Sequence, residues 1–210
     1  ENGAGKSTVV KLLLGLYEPE KGRVLVNGIP LARIPKEKRA ELFCAVFQDF
    51  YEYPLSVRET VSMGKGTLLA DGQIDGCMEA VQLAHRIRGL GKGYDSSLTG
   101  LKEDGVNFSG GEWQKLAIAR CILSGAQAAL LDEPNAALDP ISEMAVYQAY
   151  GELLRNRMTL FISHRLGSVQ TADEILVLIE GRIAAQASHS ELMELSPYYR
   201  DLYLTQRRQY

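Results

Sequence analysis

Apolar positions along this chain fall into short runs of two kinds, and turn residues separate them. Val9-Val10-Lys11-Leu12-Leu13-Leu14 belongs to a helix predicted over 6–16, which ends before Glu18-Pro19-Glu20-Lys21-Gly22. A short strand is expected at 23–26, and Asn27-Gly28 is a hairpin turn signal. A helical turn near 35–41 leads to a buried strand at 43–47. Ser56-Val57-Arg58-Glu59 reads as a capping box, residues 74–84 carry helical spacing, and 89–107 has the Gly, Ser and Asp content of a loop. A helix at 111–123 precedes a strand at 128–131. Asp139-Pro140 then opens a helix as N-cap and first residue, running to about 155. Strands follow at 159–162 and 174–180, and Ser188-His189-Ser190-Glu191 caps the first of two tail helices. Strands alternating with helices imply an α/β fold with a mostly parallel sheet, and residues 50–118 form a mostly helical insert.

The first eight residues add chemistry to that outline. Glu1-Asn2-Gly3-Ala4-Gly5-Lys6-Ser7-Thr8 is G-x-x-x-x-G-K-[ST] without its first glycine, so the natural chain is expected to begin upstream. Gly3 and Gly5 let the backbone turn its N–H groups inward around phosphate oxygens. Lys6 is placed to reach β- and γ-phosphates, Ser7 to ligate Mg²⁺, and the helix adds its positive end. A plain glycine turn ahead of a helix explains less, because Gly-Lys-Ser-Thr runs straight into the apolar helix.

A second feature lies at the far end of a strand. Ala128-Ala129-Leu130-Leu131 closes on Asp132-Glu133. Ligands of open α/β sheets sit beyond the carboxyl ends of the strands, which puts Asp132 near Mg²⁺ and Glu133 near the γ-phosphate as base or water-positioner.

Composition narrows the class rather than the chemistry. At 210 residues the chain can bury a full core, and its net charge of −3 makes no case for binding nucleic acid. Cys44, Cys77 and Cys121 are widely spaced, so neither a structural disulfide nor a zinc site is expected. The longest apolar run, residues 175–179, suits a buried strand and is far short of the ~20 residues that span a bilayer.

Asn107-Phe108-Ser109-Gly110-Gly111-Glu112-Trp113-Gln114 resembles the L-S-G-G-Q signature of ATP-binding cassette (ABC) proteins, with Phe108 for Leu and Glu112 for Gln. By itself Ser-Gly-Gly ahead of a helix is only a capping turn; its place between the loop and the Asp132-Glu133 strand makes it specific. The resemblance covers nearly the whole chain. It implies a P-loop NTPase core of RecA type over 1–49 and 119–210, with a helical subdomain over 50–118. It further implies a head-to-tail dimer in which Ser109, Gly110 and Gly111 cover the γ-phosphate held by residues 2–8 of the partner. Glu112 would bring a negative charge to that phosphate. Gln48, in Phe47-Gln48-Asp49, is similar to the family's Q-loop and would touch Mg²⁺ or water; His164 matches the switch histidine. Asn135-Ala136-Ala137-Leu138-Asp139 corresponds to the D-loop, where Asp139 is equally a helix cap. His85 and His189 are expected to be structural.

Residues 99–105 and the tail from Gly181 to Leu202 are similar to exporter segments, with departures at Leu101, Lys102, Ala185 and Ala187. The family implication is an ATP-hydrolysing cassette of an exporter, using ATP and Mg²⁺ at the cytoplasmic face of the cell membrane. Its partners would be a transmembrane domain, expected to be fused upstream, and a second nucleotide-binding domain. Catalysis would rest on Glu133, His164, Gln48 and Lys6, and metal binding on Ser7, Gln48 and Asp132. A soluble ABC-type ATPase of DNA repair or translation stays as the alternative, as does a cassette that binds ATP without rapid turnover. Since the first loop glycine and the adenine-stacking aromatic are expected before residue 1, these 210 residues alone should hydrolyse ATP weakly or not at all.

Overall fold

The computed structural model describes residues 3–49, 51–98, 105–132, 151, 156–163 and 169–208. Its centre is a parallel sheet of three strands, β3 (Phe43–Val46), β4 (Ala128–Asp132) and β5 (Met158–Ile162), with β4 in the middle. Every residue of β4 is buried, as expected of a continuous apolar run covered on both faces. The register sets Val46 beside Leu131 and Asp132 beside Ile162, so the three strands end at one edge.

Alternation along β4 divides the core. Leu130 faces Val10 and Ile162, with Leu13 and Leu14 packed against them; this is the side of α1 (Lys6–Leu13). Ala129 and Leu131 share a larger core with Trp113, Leu116 and Ile122 of α6 (Gly110–Ser124). That core also takes in Val57 and Val61 of α3 (Val57–Ser62), Ile74 and Met78 of α4 (Asp71–Ala80), and Ile87 of α5 (Ala84–Arg88). The helices of the 50–118 region therefore pack on the same apolar mass as one face of the sheet.

Local chemistry explains where the elements stop. Helix α1 ends three residues short of the expected boundary. Gly15, at φ 67°, donates to Leu12 O at 3.0 Å and Leu16 donates to Lys11 O at 2.9 Å, a Schellman closure. Arg39, on α2 (Lys36–Leu42), then clamps the carbonyls of Gly15, Leu31 and Ile34. The single helix expected over 74–84 is two, α4 and α5. Gln82 adopts φ 60° and donates to Glu79 O, while Leu83 donates to Met78 O, closing α4 as Gly15 closes α1. Helical spacing persists across the break because Val81, Leu83 and Ala84 are buried on the same side.

The described residues also form two antiparallel hairpins. β1 (Leu25–Val26) and β2 (Ile29–Pro30) pair through Asn27-Gly28, both at positive φ, as the turn signal anticipated. β6 (Ile175–Ile179) pairs antiparallel with β7 (Arg182–Ala187), a strand that the apolar pattern does not mark. Glu180 at φ 48° and Gly181 at φ 75° form the two-residue turn. The described pairing of β6 is thus antiparallel, beside a central sheet that is parallel. On the hairpin sit α7 (His189–Leu195) and α8 (Pro197–Arg207), anchored by the buried residues Leu192 and Tyr199. His189 Nδ1 lies 2.9 Å from the Tyr199 hydroxyl, the structural role expected of it.

Cys44 of β3 and Cys121 of α6 are joined as a disulfide, with Cα atoms 5.4 Å apart and the two residues 77 positions apart in the chain. The expectation of no disulfide is corrected here. Spacing along the chain carried no sign of the pair because the packing of α6 on the sheet creates it. Cys77 is a buried free thiol whose pKa burial pushes up to about 12.

Candidate functional site

The phosphate loop has the backbone its glycines permit. Gly3 stands at φ 80° and Gly5 at φ 93°, and Gly5 is the N-cap of α1. Both angles are costly for an L side chain. Lys6, half-buried, and Ser7 and Thr8, exposed, form the first turn of α1, at the positive end of the helix dipole. Between the glycines Ala4 is buried, and its carbonyl accepts the Gly181 N–H at 3.1 Å. A Cβ added at Gly5 would come within 3.7 Å of Gly181 Cα and 3.8 Å of Leu178 Cδ2. The β6–β7 turn therefore backs the loop, a support the sequence carried no signal for.

Asp132 terminates β4, 5% exposed, at the edge where all three parallel strands finish. Gln48 lies two residues beyond β3 at the same edge and is exposed. Helix α1 packs on β4 through Val10, which is one turn past Ser7 and shares a core cluster with Leu130. Among the described residues no group of three or more His, Cys, Asp or Glu side chains could cage a metal ion. A hydroxyl, one carboxylate and an amide suit Mg²⁺ that takes its remaining ligands from phosphates and water. Asn2, Glu133 and His164 lie outside the described residues, as do Asp139 and positions 99–104.

The signature turn is built as a helix cap. Ser109, at φ −67° and ψ 160°, precedes Gly110 and Gly111, and its Oγ accepts the Glu112 N–H at 3.3 Å. Glu112 answers by accepting the Ser109 N–H at 2.7 Å and the Ser109 hydroxyl at 3.1 Å. The carboxylate at position 112 thus completes a capping box. Phe108 is buried edge-on to Trp113, ring centroids 6.1 Å apart, which fixes how the turn leaves the core. Arg86 of α5 donates from Nε to Glu112 Oε1 at 3.1 Å. Burial alone would raise the Glu112 carboxyl, but the bonds from Ser109 and the charge of Arg86 outweigh it and hold its pKa below the usual glutamate range. Arg86 had no motif to mark it; only the fold sets it beside position 112.

A parallel α/β sheet with a glycine loop opening a helix and a carboxylate at the strand ends defines a P-loop NTPase. Residues 1–136 match the ABC transporter family, and the chain belongs to it. It is 34% identical over 202 residues to the subtilin transport ATP-binding protein SpaT of Bacillus subtilis, covering 96% of this chain and 33% of that protein. It is 37% identical over 208 residues to the ATP-dependent lipid A-core flippase of Methylobacillus flagellatus, covering 98% of this chain and 35% of that one. The solved structure of a bacterial Atm1-family ABC exporter with ATP bound superposes with TM-score 0.87 at 31% identity, over 98% of this chain and 35% of that chain. The chain thus spans about a third of the length of the relatives it matches. Among the described residues no helix is long and apolar enough to cross a membrane.

Proposed function

We propose that this chain is the ATP-binding and hydrolysing cassette of an exporter, driving transport by closing head-to-tail on a second cassette. The observation that carries this is the loop at 3–8. Two glycines at positive φ lead into the N-terminal turn of α1 at Lys6, in a fold whose strands end at Asp132. Amides of Gly3, Ala4, Gly5, Lys6, Ser7 and Thr8, with Asn2 ahead of them, cradle the triphosphate, and the Lys6 ammonium neutralises charge on the γ-phosphoryl group. Ser7, Asp132 and Gln48 are the groups that would hold Mg²⁺, which would supply positive charge against the phosphates. Glu133 orients the attacking water, and His164 contacts the γ-phosphate from the next strand end. Ser109, Gly110 and Gly111 of the opposing copy donate to the same phosphate.

The division into a core of 1–49 and 119–210 and a helical subdomain of 50–118 belongs to this proposal. So do coupling to a transmembrane domain and a place at the cytoplasmic membrane face. Similarity to transport proteins and flippases over nearly the entire chain supports them against a role in DNA repair or translation. Glu133→Gln in the intact protein is the test. It should lose most hydrolysis while retaining ATP binding, and hydrolysis within about twofold of the parent removes Glu133 from the mechanism.

A further inference from the structure

Glu112 poses a problem for the reading just given. A turn that receives a partner's γ-phosphate gains from N–H and O–H donors and from low negative charge, yet here a carboxylate sits in its first turn. It does more than sit there. Glu112 Oε2 takes both the Ser109 N–H at 2.7 Å and the Ser109 hydroxyl at 3.1 Å, the donors a phosphate would use. Left alone, this carboxylate would repel the phosphate and hold the serine proton in competition with it.

Arg86 answers the first of these, the negative charge. Its Nε donates to Glu112 Oε1, the oxygen Ser109 does not use, at 3.1 Å. Its Nη2 donates to Asn107 O at 3.4 Å, and the guanidinium lies 5.8 Å from the centroid of the Phe108 ring. One cation therefore grips the turn on three successive features: a backbone carbonyl before it, the aromatic side chain that anchors it, and the carboxylate after it. The pair is partly open to water, with side-chain exposures of 43% and 26%, so its worth lies in charge balance at a phosphate-facing turn more than in fold stability.

We propose that Arg86 is a positioning residue of the partner-facing phosphate site. It neutralises Glu112, so that the Ser109 turn meets the opposing γ-phosphate without net negative charge. The inference rests on the signature turn acting across a dimer. It adds a residue from α5, outside the signature sequence itself, and gives the departure at position 112 a partner elsewhere in the chain.

A double-mutant cycle on the intact protein tests it, with ATP hydrolysis measured against ATP concentration for the parent, Arg86→Gln, Glu112→Gln and the double variant. Arg86→Gln is expected to lower kcat/KM about tenfold, mainly through KM, because the uncompensated carboxylate opposes closure on the phosphate. In the Glu112→Gln background the same change should cost less than about twofold. Arg86→Lys, which keeps the charge, should recover most of the loss, and thermal melting identifies any variant that has lost its fold. An equal loss from Arg86→Gln in both backgrounds overturns the inference, since it would mean that Arg86 only holds Asn107 and Phe108. Ser109→Arg separates this from the underlying reading. Undiminished hydrolysis in Ser109→Arg removes the dimer-facing turn altogether, whereas loss of hydrolysis with a flat cycle removes only the role of Arg86.

Discussion

The carbonyl of Ala4 accepts a 3.1 Å hydrogen bond from the N–H of Gly181, so residues 177 positions apart in the chain hold one wall of the phosphate loop in place. Gly181 can make that contact because the β6–β7 turn needs φ 75° there. Gly181→Ala keeps the donor but places a side chain in the left-handed region, at a cost of about 1 kcal/mol. The expected result is ATP affinity reduced about threefold to tenfold with the overall fold retained, since the strain falls on the turn that backs the loop. A fluorescent-nucleotide titration checks this; unchanged affinity would detach the hairpin from nucleotide binding.

Magnesium dependence should separate two residues of the proposed site. Ser7→Ala is expected to raise the Mg²⁺ concentration for half-maximal hydrolysis by about tenfold, and Asp132→Ala to abolish hydrolysis at any Mg²⁺ level. Chelation with EDTA should stop turnover in every active variant. Equal Mg²⁺ requirements in parent and Ser7→Ala would take the hydroxyl out of the metal's shell.

Arg58 ties α3 to two later segments, bonding Asp95 and Asp71 at 2.7 Å each and the Leu69 carbonyl at 2.7 Å. Its guanidinium holds the Asp95 carboxyl below the ordinary value of 3.8. A depressed carboxylate pKa contributes stability that is present above the unfolded value and lost as pH falls through the folded one. Arg58→Gln should therefore melt below the parent by a constant margin at neutral pH, and the margin should narrow once pH drops under 3.8. It should not vanish, because the Leu69 carbonyl bond does not titrate. Melting curves from pH 7 to the acid limit decide it; a margin independent of pH would assign the effect to packing.

The break between α4 and α5 offers a stabilising change. Gln82 occupies the left-handed position of a helix closure where glycine is favoured. Its side chain accepts only an exposed 3.3 Å bond from Lys115. Gln82→Gly should gain about 1 kcal/mol and raise Tm by about 2–4 °C. A lower Tm would show that the Lys115 contact outweighs the backbone strain.

Local signals and tertiary placement differed in how well the sequence displayed them. Gly3, Gly5 and Ser109 were legible because turn and cap chemistry is written within a few residues, and the burial of β4 followed from its unbroken apolar run. The end of α1 was misplaced because Leu16 continues the apolar pattern while Gly15, one residue earlier, closes the helix. Strand β7 is not legible because Ala184, Ala185 and Ala187 favour helix over strand, and only pairing with β6 overrides that preference. Arg86, Gly181 and the Cys44–Cys121 link share one cause. Each acts on a residue at least 26 positions away, and no spacing rule connects them before the chain has folded.

Helix α6 has one further consequence. It begins at Ser109, runs about 22 Å over its 15 residues, and is packed along its length against α3, α4 and the sheet face of Ala129 and Leu131. Its far half is bonded to β3 through Cys121. One continuous helix therefore joins the turn at Ser109 to the apolar face of the strand that ends in Asp132.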